Sequence, residues 1–539
     1  MVSDIHSEVQ GGIIENSKYC WIASGAILEI FCIKTGSKIA SWKFGSFYKS
    51  QYTCITSICK IPISEEFGSC LLAIGLCHGV NDGSICIFAI QGCRILLAIN
   101  IGEPVTKICL VDSGGNLAGP LSAFDGVLAV TTNKENAYLI DLCRQICIDA
   151  LELGPEYGFD EYHIRQCAKV RPNANYELLK ELAMAKDEHI ALNIYSVDII
   201  GSVTSLLMVQ QISALVIGSN TGAFVIIDLI GFKIIYKSNP MHGAILQITF
   251  QEPSDDPRAH CFLWTLHSNG TKTTANFHQL IYRSKDSSGF CRYQEFLNCN
   301  LQYTMVLGKI ESRIISCQVI QKLFQDECAI SVCTFSWIAE NKLYLCIFDI
   351  DQWYKFGMGN SNIESRLEKI VYNKFQIKLD LDYTKLRDIK LSTNTLSLFK
   401  SCQAFDEYYH PGSLTFDCDV LSISKNFCFH WPGSQKQILQ KLSNMGSAGL
   451  IAPESLYLEC LRTHLIPLFH DNSFDCETST SSPLATRQQD SRTLQDYATP
   501  FHSTTRVAFR SSWDESGGGG DRVPVSLVPA FVRRSPFGS

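Results

Sequence analysis

Ala214–Lys237 reads ALVIGSNTGAFVIIDLIGFKIIYK: an apolar strand, a turn through Asn220 and Gly222, a second apolar strand closing on Asp228, a short turn and a third strand. Val, Ile and Phe are the types that fit a pleated, half-buried surface, and Asn and Gly supply the positive φ that tight hairpins use. Working outward, the same order returns in WIASGAILEIFCIKTGSKIASWKF (Trp21–Phe44), LLAIGLCHGVNDGSICIFAIQGCRILLAI (Leu71–Ile99) and VLAVTTNKENAYLIDLCRQICIDAL (Val127–Leu151), with Gly36 and Gly83 also read as positive-φ turn residues. Weaker copies stand at Cys261–Arg283, Ala329–Phe356 and Leu414–Trp431. A further strand precedes several copies, as ITSICKI from Ile55, VTKICLV from Val105, VTSLLMV from Val203 and ILQITF from Ile245.

Four short antiparallel strands repeated about seven times predict an all-β fold, a seven-bladed WD-like β-propeller over residues 1–470, because a ring of blades buries every face and leaves no open edge. A β-sandwich is the competing reading, and it leaves the recurrence of the unit without a cause. Two stretches interrupt the rhythm. Residues 154–200 contain YELLKELAMAKDEHIALNI, where Leu178, Leu179, Leu182 and Ala183 recur at helical spacing, and residues 357–412 contain a second predicted helix, SNIESRLEKIVYN. Pro453 is placed to open a helix in a closing segment over 445–470 that carries Leu456, Cys460, Leu461 and Leu465. From 471 to 539 the composition turns to Ser, Thr, Arg and Gly, which predicts a disordered tail.

Composition narrows the function classes. The 539 residues are 46% hydrophobic and 18% charged with a net charge of −7, a globular balance without the clustered Lys and Arg that nucleic-acid binding over a whole surface requires. The polar start MVSDIHSEVQGG does not read as a secretory signal, and the longest apolar stretch, Ile85–Ile101, is broken by Gln91, Gly92 and Arg94, so no transmembrane segment is expected and the chain reads as intracellular. The 24 cysteines, among them Cys32, Cys86, Cys109, Cys333 and Cys346, fall singly in strand-like runs, and the nearest spacings, Cys143 to Cys147 and Cys54 to Cys59, are not those of a zinc site.

No GxSxG, GxxxxGK[ST], HExxH or GxGxxG stands in a fitting context, so neither a catalytic residue nor a cofactor or metal site is expected. IGSNTG (Ile217–Gly222) lacks the lysine of a phosphate loop and reads as a hairpin turn. Asp255 and Asp256 in QEPSDDPRAH are dense enough in carboxylate to serve as acid and base or as metal ligands, but Pro253 and Pro257 make a surface turn the simpler reading. His78, His242 and His267 sit beside Gly or Ser and read as surface or turn residues, and Trp353 and Tyr354 as an exposed contact patch or as blade packing. A ligand-processing channel would need convergent polar residues on the inner strands, which read as Val, Ile and Leu.

ITFQEPSDDPRAHCFLWTLHS (Ile248–Ser268) and SVCTFSWIAENKLYLCIFDIDQWYKFGM (Ser331–Met358) closely resemble blades of the N-terminal propeller of the ELYS nucleoporin family, as do the order and spacing of units from Trp21 to about Phe469. The resemblance implies a scaffold at the nuclear pore complex, in the nucleus and nuclear envelope, that docks subunits of the Y-shaped subcomplex during pore assembly. It implies only indirect or weak contact with chromatin, because no RGRP core of an AT-hook is present in the sequence. The other reading is a generic WD-like adaptor in cytoplasmic transport or ubiquitin ligation. Glu252, Asp255, Asp256, Arg258, Trp353 and Tyr354 are the candidate interface residues, as loop charges and large aromatics within the family-like strings.

Overall fold

A computed structural model of the chain describes residues 9–14, 19–45, 52–62, 70–112, 119–152, 164–170, 188–195, 201–254, 256–286, 291–309, 311–324, 329–357, 371–378, 382–399, 411–424, 426–446, 453–463, 465 and 504–506. The chain folds as an all-β propeller. The first sheet is β1 (Gln10–Ile13), β2 (Tyr19–Ser24), β3 (Ile27–Cys32) and β4 (Lys38–Lys43), antiparallel and in sequence order. The second holds β5 (Thr53–Pro62), β6 (Cys70–His78), β7 (Asp82–Ala89), β8 (Arg94–Asn100), β9 (Val105–Asp112), β10 (Val127–Thr132), β11 (Ala137–Asp141), β12 (Ile164–Val170) and β13 (Glu188–Tyr195), in the order β5-β6-β7-β8-β12-β13-β11-β10-β9.

The third sheet is β14 (Val203–Val209), β15 (Ala214–Ser219), β16 (Phe224–Asp228) and β17 (Lys233–Lys237), and the fourth is β18 (Ala244–Gln251), β19 (His260–Ser268), β20 (Thr273–Lys285) and β21 (Tyr293–Gly308). The fifth comprises β22 (Arg313–Leu323), β23 (Ala329–Ala339), β24 (Lys342–Asp349) and β25 (Tyr372–Lys378), with β29 (Thr504–Arg506) laid parallel on its outer edge. The sixth has β26 (Leu386–Leu391), β27 (Phe416–Ser422) and β28 (Asn426–Trp431). Their innermost strands stack in succession, β5 on β9, then β14, β18, β22 and β26, and β26 on β1.

Hydrogen bonding thus resolves six sheets among the described residues where the repeat predicted seven blades. The cause is β12, which pairs parallel with β8 on one side and with β13 on the other, stitching two arrays together at their outer edges. The unit at Val127–Leu151 also departs from expectation. Its third segment is helix α1 (Arg144–Glu152), and β13 takes the outer place beside β11. The interval 154–200 therefore contributes strands, since HIALNI, read as the end of a helix, lies in β13 with His189–Leu192 buried. Leu178, Leu179, Leu182 and Ala183 fall outside the described residues.

The interval 357–412 likewise supplies β25 and β26, and most of its predicted helix lies outside the described residues. Helix α2 (Ile350–Gly357) replaces the strand expected at Trp353, and α3 (Ser434–Met445) and α4 (Pro453–Arg462) pack together through Ile438, Leu456 and Cys460, with Pro453 at the start of α4 as predicted. The predicted tail lies outside the described residues apart from β29. Gly36 and Gly222 take positive φ, +69° and +78°, as the turns require. Gly83 does not. A Cβ there would stand 2.4 Å from the Glu103 carbonyl oxygen and 2.7 Å from that of Leu76, so close backbone approach, not turn geometry, excludes a side chain.

Glu103 closes the seam that β12 makes. Its buried carboxylate accepts from Lys169 Nζ on β12 (2.6 Å), Tyr138 Oη (3.1 Å), Thr132 Oγ1 (2.7 Å) and Asn136 Nδ2 (3.3 Å), and the ammonium also lies over the Tyr138 ring. Burial alone would raise this carboxyl, but the bonds from Lys169, Thr132 and Asn136 prevail and hold it below the usual range. Its contribution to stability is present above the unfolded-state pKa and is lost as pH falls through the folded one. Glu103→Ala is expected to cost about 2 kcal/mol in chemical denaturation at pH 7, a buried-pair loss discounted for the partial exposure of Lys169. The cost should shrink below pH 4; a pH-independent cost would show that the charge plays no part.

Candidate functional site

The inner strands share a feature that no single string displays. On β5, β9, β14, β18, β22 and β26 one extra residue interrupts the pairing with the next strand, at Thr56, Thr106, Thr204, Leu246, Ile315 and Arg387. A β-bulge re-aims the side chains beside it. The residue after each bulge is polar: Ser57, Lys107, Ser205, Gln247, Ser316 and Asp388.

Four of these bridge to the neighbouring inner strand. Ile108 N donates to Ser57 Oγ (3.1 Å), Gln247 Nε2 to the Ile315 carbonyl (3.2 Å), Ser316 Oγ to the Ile389 carbonyl (2.7 Å), and Ile13 N to Asp388 Oδ2 (2.8 Å). The last bond joins the first sheet to the last, beside an apolar contact of Leu421 with Ile13, Cys20, Ile22 and Phe31. Five of the inner strands border an open cavity of about 270 Å³ lined by Lys107, Gln247, Ser316 and Asp388 together with Gln318 and Lys390. The expected apolar channel is therefore polar at its axis, because the bulges turn outward-reading positions inward. Among the described residues no group of three or more His, Cys, Asp or Glu is placed to hold a metal ion.

The second site is the QEPSDDPR turn between β18 and β19, which the structure docks onto the next sheet. Ser254 N and Oγ donate to the two oxygens of Asp351 on α2 (3.0 and 2.5 Å), and Gln321 Nε2 on β22 donates to the Glu252 carbonyl (3.2 Å). Arg258 grips Asp256 with two bonds, Nε to Oδ1 and Nη2 to Oδ2, each 3.0 Å, and lies over the Tyr354 ring at 4.9 Å. Burial alone would raise the Asp256 carboxyl, but the Arg258 bonds hold it below its ordinary value, while burial and then the Asp256 charge push the Tyr354 phenol up. Glu252 is buried and receives Arg292 Nη2 at 2.6 Å. Trp353 is half-buried against Phe277, Tyr303 and Phe348, which is blade packing.

Five of the six candidate interface residues are thus brought to one inter-sheet junction, and Asp255 lies outside the described residues. Arg258 is the one whose side chain is substantially exposed among Glu252, Asp256 and Arg258. Asp351, Gln321 and Arg292 were missed by the sequence reading and have no local signal. Of the three histidines read as surface or turn residues, only His242 is exposed; His78 and His267 are buried at strand ends, His78 between Thr53 and Ser84 and His267 between Thr265 and the Gly243 carbonyl. Cys32, Cys86, Cys109, Cys333 and Cys346 form no disulfide, and Cys86, Cys333 and Cys346 are buried. No helix among the described residues is long and apolar enough to cross a membrane.

A family model described as the β-propeller of ELYS nucleoporin matches residues 4–425. Protein ELYS of Xenopus laevis is 25% identical over 505 residues, covering 84% of this chain and 20% of that protein. Protein ELYS of Homo sapiens is 24% identical over 512 residues, covering 84% of this chain and 21% of that protein. The chain spans about a fifth of the length of these relatives.

Proposed function

The chain belongs to the ELYS nucleoporin β-propeller family, and from that membership we propose that it is a non-catalytic docking scaffold of the nuclear pore complex at the nuclear envelope. It recruits subunits of the Y-shaped subcomplex during pore assembly and meets chromatin indirectly or weakly. The nine-stranded sheet is two blades joined by β12, which gives a ring of seven. The observation that carries the reading is the family match over the residues that build the propeller. Arg258, held over Tyr354 by Asp256 at a sheet junction, is the docking residue, since an exposed guanidinium with a fixed orientation suits an acidic or aromatic contact.

The test is capture from cells with a tagged chain, together with imaging. Wild type is expected to bring down pore scaffold subunits and to mark the nuclear rim, and Arg258→Glu to reduce capture at least fivefold. The Asp256 side chain is only 7% exposed, so Arg258→Glu also leaves that carboxylate unpaired; Arg258→Gln, which keeps a donor for it, is the control that should lose capture with a smaller fall in the denaturation midpoint. Capture of cytoplasmic adaptors or ubiquitin-ligase subunits without rim signal would overturn the pore assignment, and unchanged capture by Arg258→Glu would remove the residue from the interface.

A further inference from the structure

Strand register sets two cysteines face to face. In the pairing of β5 with β6, Cys54 stands directly opposite Cys77, and among the described residues no other two cysteines are opposed in this way. Directly opposed residues of antiparallel strands have α carbons about 4.5–5.5 Å apart and side chains on the same face, inside the roughly 4.4–6.8 Å that a disulfide spans. Cys317 and Cys333, with Sγ atoms 3.9 Å apart, differ. Register there opposes Cys317 to Phe335 and Cys333 to Val319, so the two are diagonal neighbours with α carbons about 7–8 Å apart, and Cys333 has no exposed surface.

We propose that Cys54 and Cys77 are a modification site, a dithiol that hydrogen peroxide closes to a disulfide across β5 and β6. The Cys54 thiolate attacks one oxygen of the peroxide, so that an S–O bond forms, the O–O bond breaks and the hydroxide released takes up a proton. The Cys77 sulfur then attacks the sulfenic sulfur; the S–S bond forms, the S–O bond breaks, and the Cys77 proton leaves with the second hydroxide. Two thiols and one peroxide thus become one disulfide and two waters. Cys77 has one thiol proton and two acceptors for it, the Gly79 carbonyl at 2.9 Å and the Cys54 sulfur. The bond from Cys77, joined by one from Tyr52, draws the Cys54 thiol down to about 7 against the effect of burial, and the same bond pushes Cys77 up. Cys54 is therefore the nucleophile and Cys77 the resolving thiol. Access selects the oxidant: Cys54 is 6% exposed and Cys77 half-buried, so a small neutral molecule reaches the sulfur and a protein thiol does not. The closed disulfide ties the chain from Cys54 to Cys77 into a loop and so restrains the unfolded state.

Peroxide treatment of the full chain, followed by thiol blocking and mass spectrometry of the unreduced digest, tests the assignment. A crosslink between Cys54 and Cys77 is expected, with the chemical denaturation midpoint raised in the oxidised protein and restored by dithiothreitol. Cys54→Ser and Cys77→Ser should each lose both the crosslink and the midpoint shift, while Cys59→Ser, a nearby change on β5, keeps both. Near-ultraviolet dichroism identical to wild type establishes that the variants are folded. Absence of the crosslink, or a midpoint shift that persists in both Cys54→Ser and Cys77→Ser, overturns the site. A crosslink between Cys317 and Cys333 in its place would overturn the argument from register.

Discussion

Trp264→Ala is expected to lower the unfolding free energy by on the order of 5 kcal/mol, seen as a large fall in the chemical denaturation midpoint. Trp264 has no exposed surface and sits 4.5 Å from Phe277, 4.8 Å from Phe348 and 5.6 Å from Phe335 by ring centroids, so its removal opens a cavity between the fourth and fifth sheets that rigid neighbours cannot fill. Replacing a buried aromatic by Ala costs about 3–5 kcal/mol from lost transfer and residual cavity. The indole adds a second term, because Nε1 donates to Gln251 Oε1 (2.8 Å) while Gln251 Nε2 donates across the junction to the Ser331 carbonyl (3.0 Å). Trp264→Phe separates the two: it keeps most of the ring packing and orphans the Gln251 acceptor, for about 1–3 kcal/mol. Leu297→Ala, at a 54% exposed position on β21, should stay within about 0.5 kcal/mol. A Trp264→Ala cost no larger than that of Leu297→Ala would show that the junction is not the core the packing describes.

Where sequence and structure agree, the signal was local. ALVIGSNTGAFVIID folds as β15, a turn at Gly222 and β16 because two short apolar runs, β-branched residues and a positive-φ glycine all act within a few residues of one another. The strings from Ile55, Val105, Val203 and Ile245 were legible as strands and as relatives, and they are inner strands of the ring. Their polarity toward the axis was not legible. A bulge leaves no mark on the string, so these strands read as Val, Ile and Leu and the polar residues that follow the bulges, Ser57, Lys107 and Ser205, went unnoticed. The error at HIALNI has a related source: a strand buried on both faces loses its alternation, and a short apolar run preceded by Leu and Ala at helical spacing cannot be told from a helix. The QEPSDDPR turn was readable from its prolines, but its anchor Asp351 stands 97 residues further along. Only the ring brings them together, which is why the candidate residues were found without their partners.

The same burial that hid His267 from the sequence makes the propeller sensitive to acid. His267 and His278 are buried in β19 and β20 around Thr265 Oγ1, at 2.8 and 3.1 Å, and His267 Nδ1 lies 3.3 Å from the Gly243 carbonyl. Burial holds His267 down to about 4 and His278, with the His267 charge adding to the burial, to about 3. In the unfolded chain each titrates near 6.5. Between those values the unfolded state binds more protons than the folded one, so the neutral pair's contribution is complete above about pH 6.5 and is lost as pH falls toward 4 and then 3. At 1.36 kcal/mol per pKa unit, His267 alone accounts for roughly 3 kcal/mol by pH 4. Asp141 and Asp419, which burial raises to about 6, act in the opposite sense over part of that range, so the total profile mixes both. A difference measurement isolates the histidine. His267→Gln supplies a neutral side chain with a donor and an acceptor, and its unfolding free energy relative to wild type should improve by roughly 2–3 kcal/mol between pH 7 and pH 4.5. A difference that stays flat across that range would mean that His267 is already protonated, or open to solvent, in the folded ring.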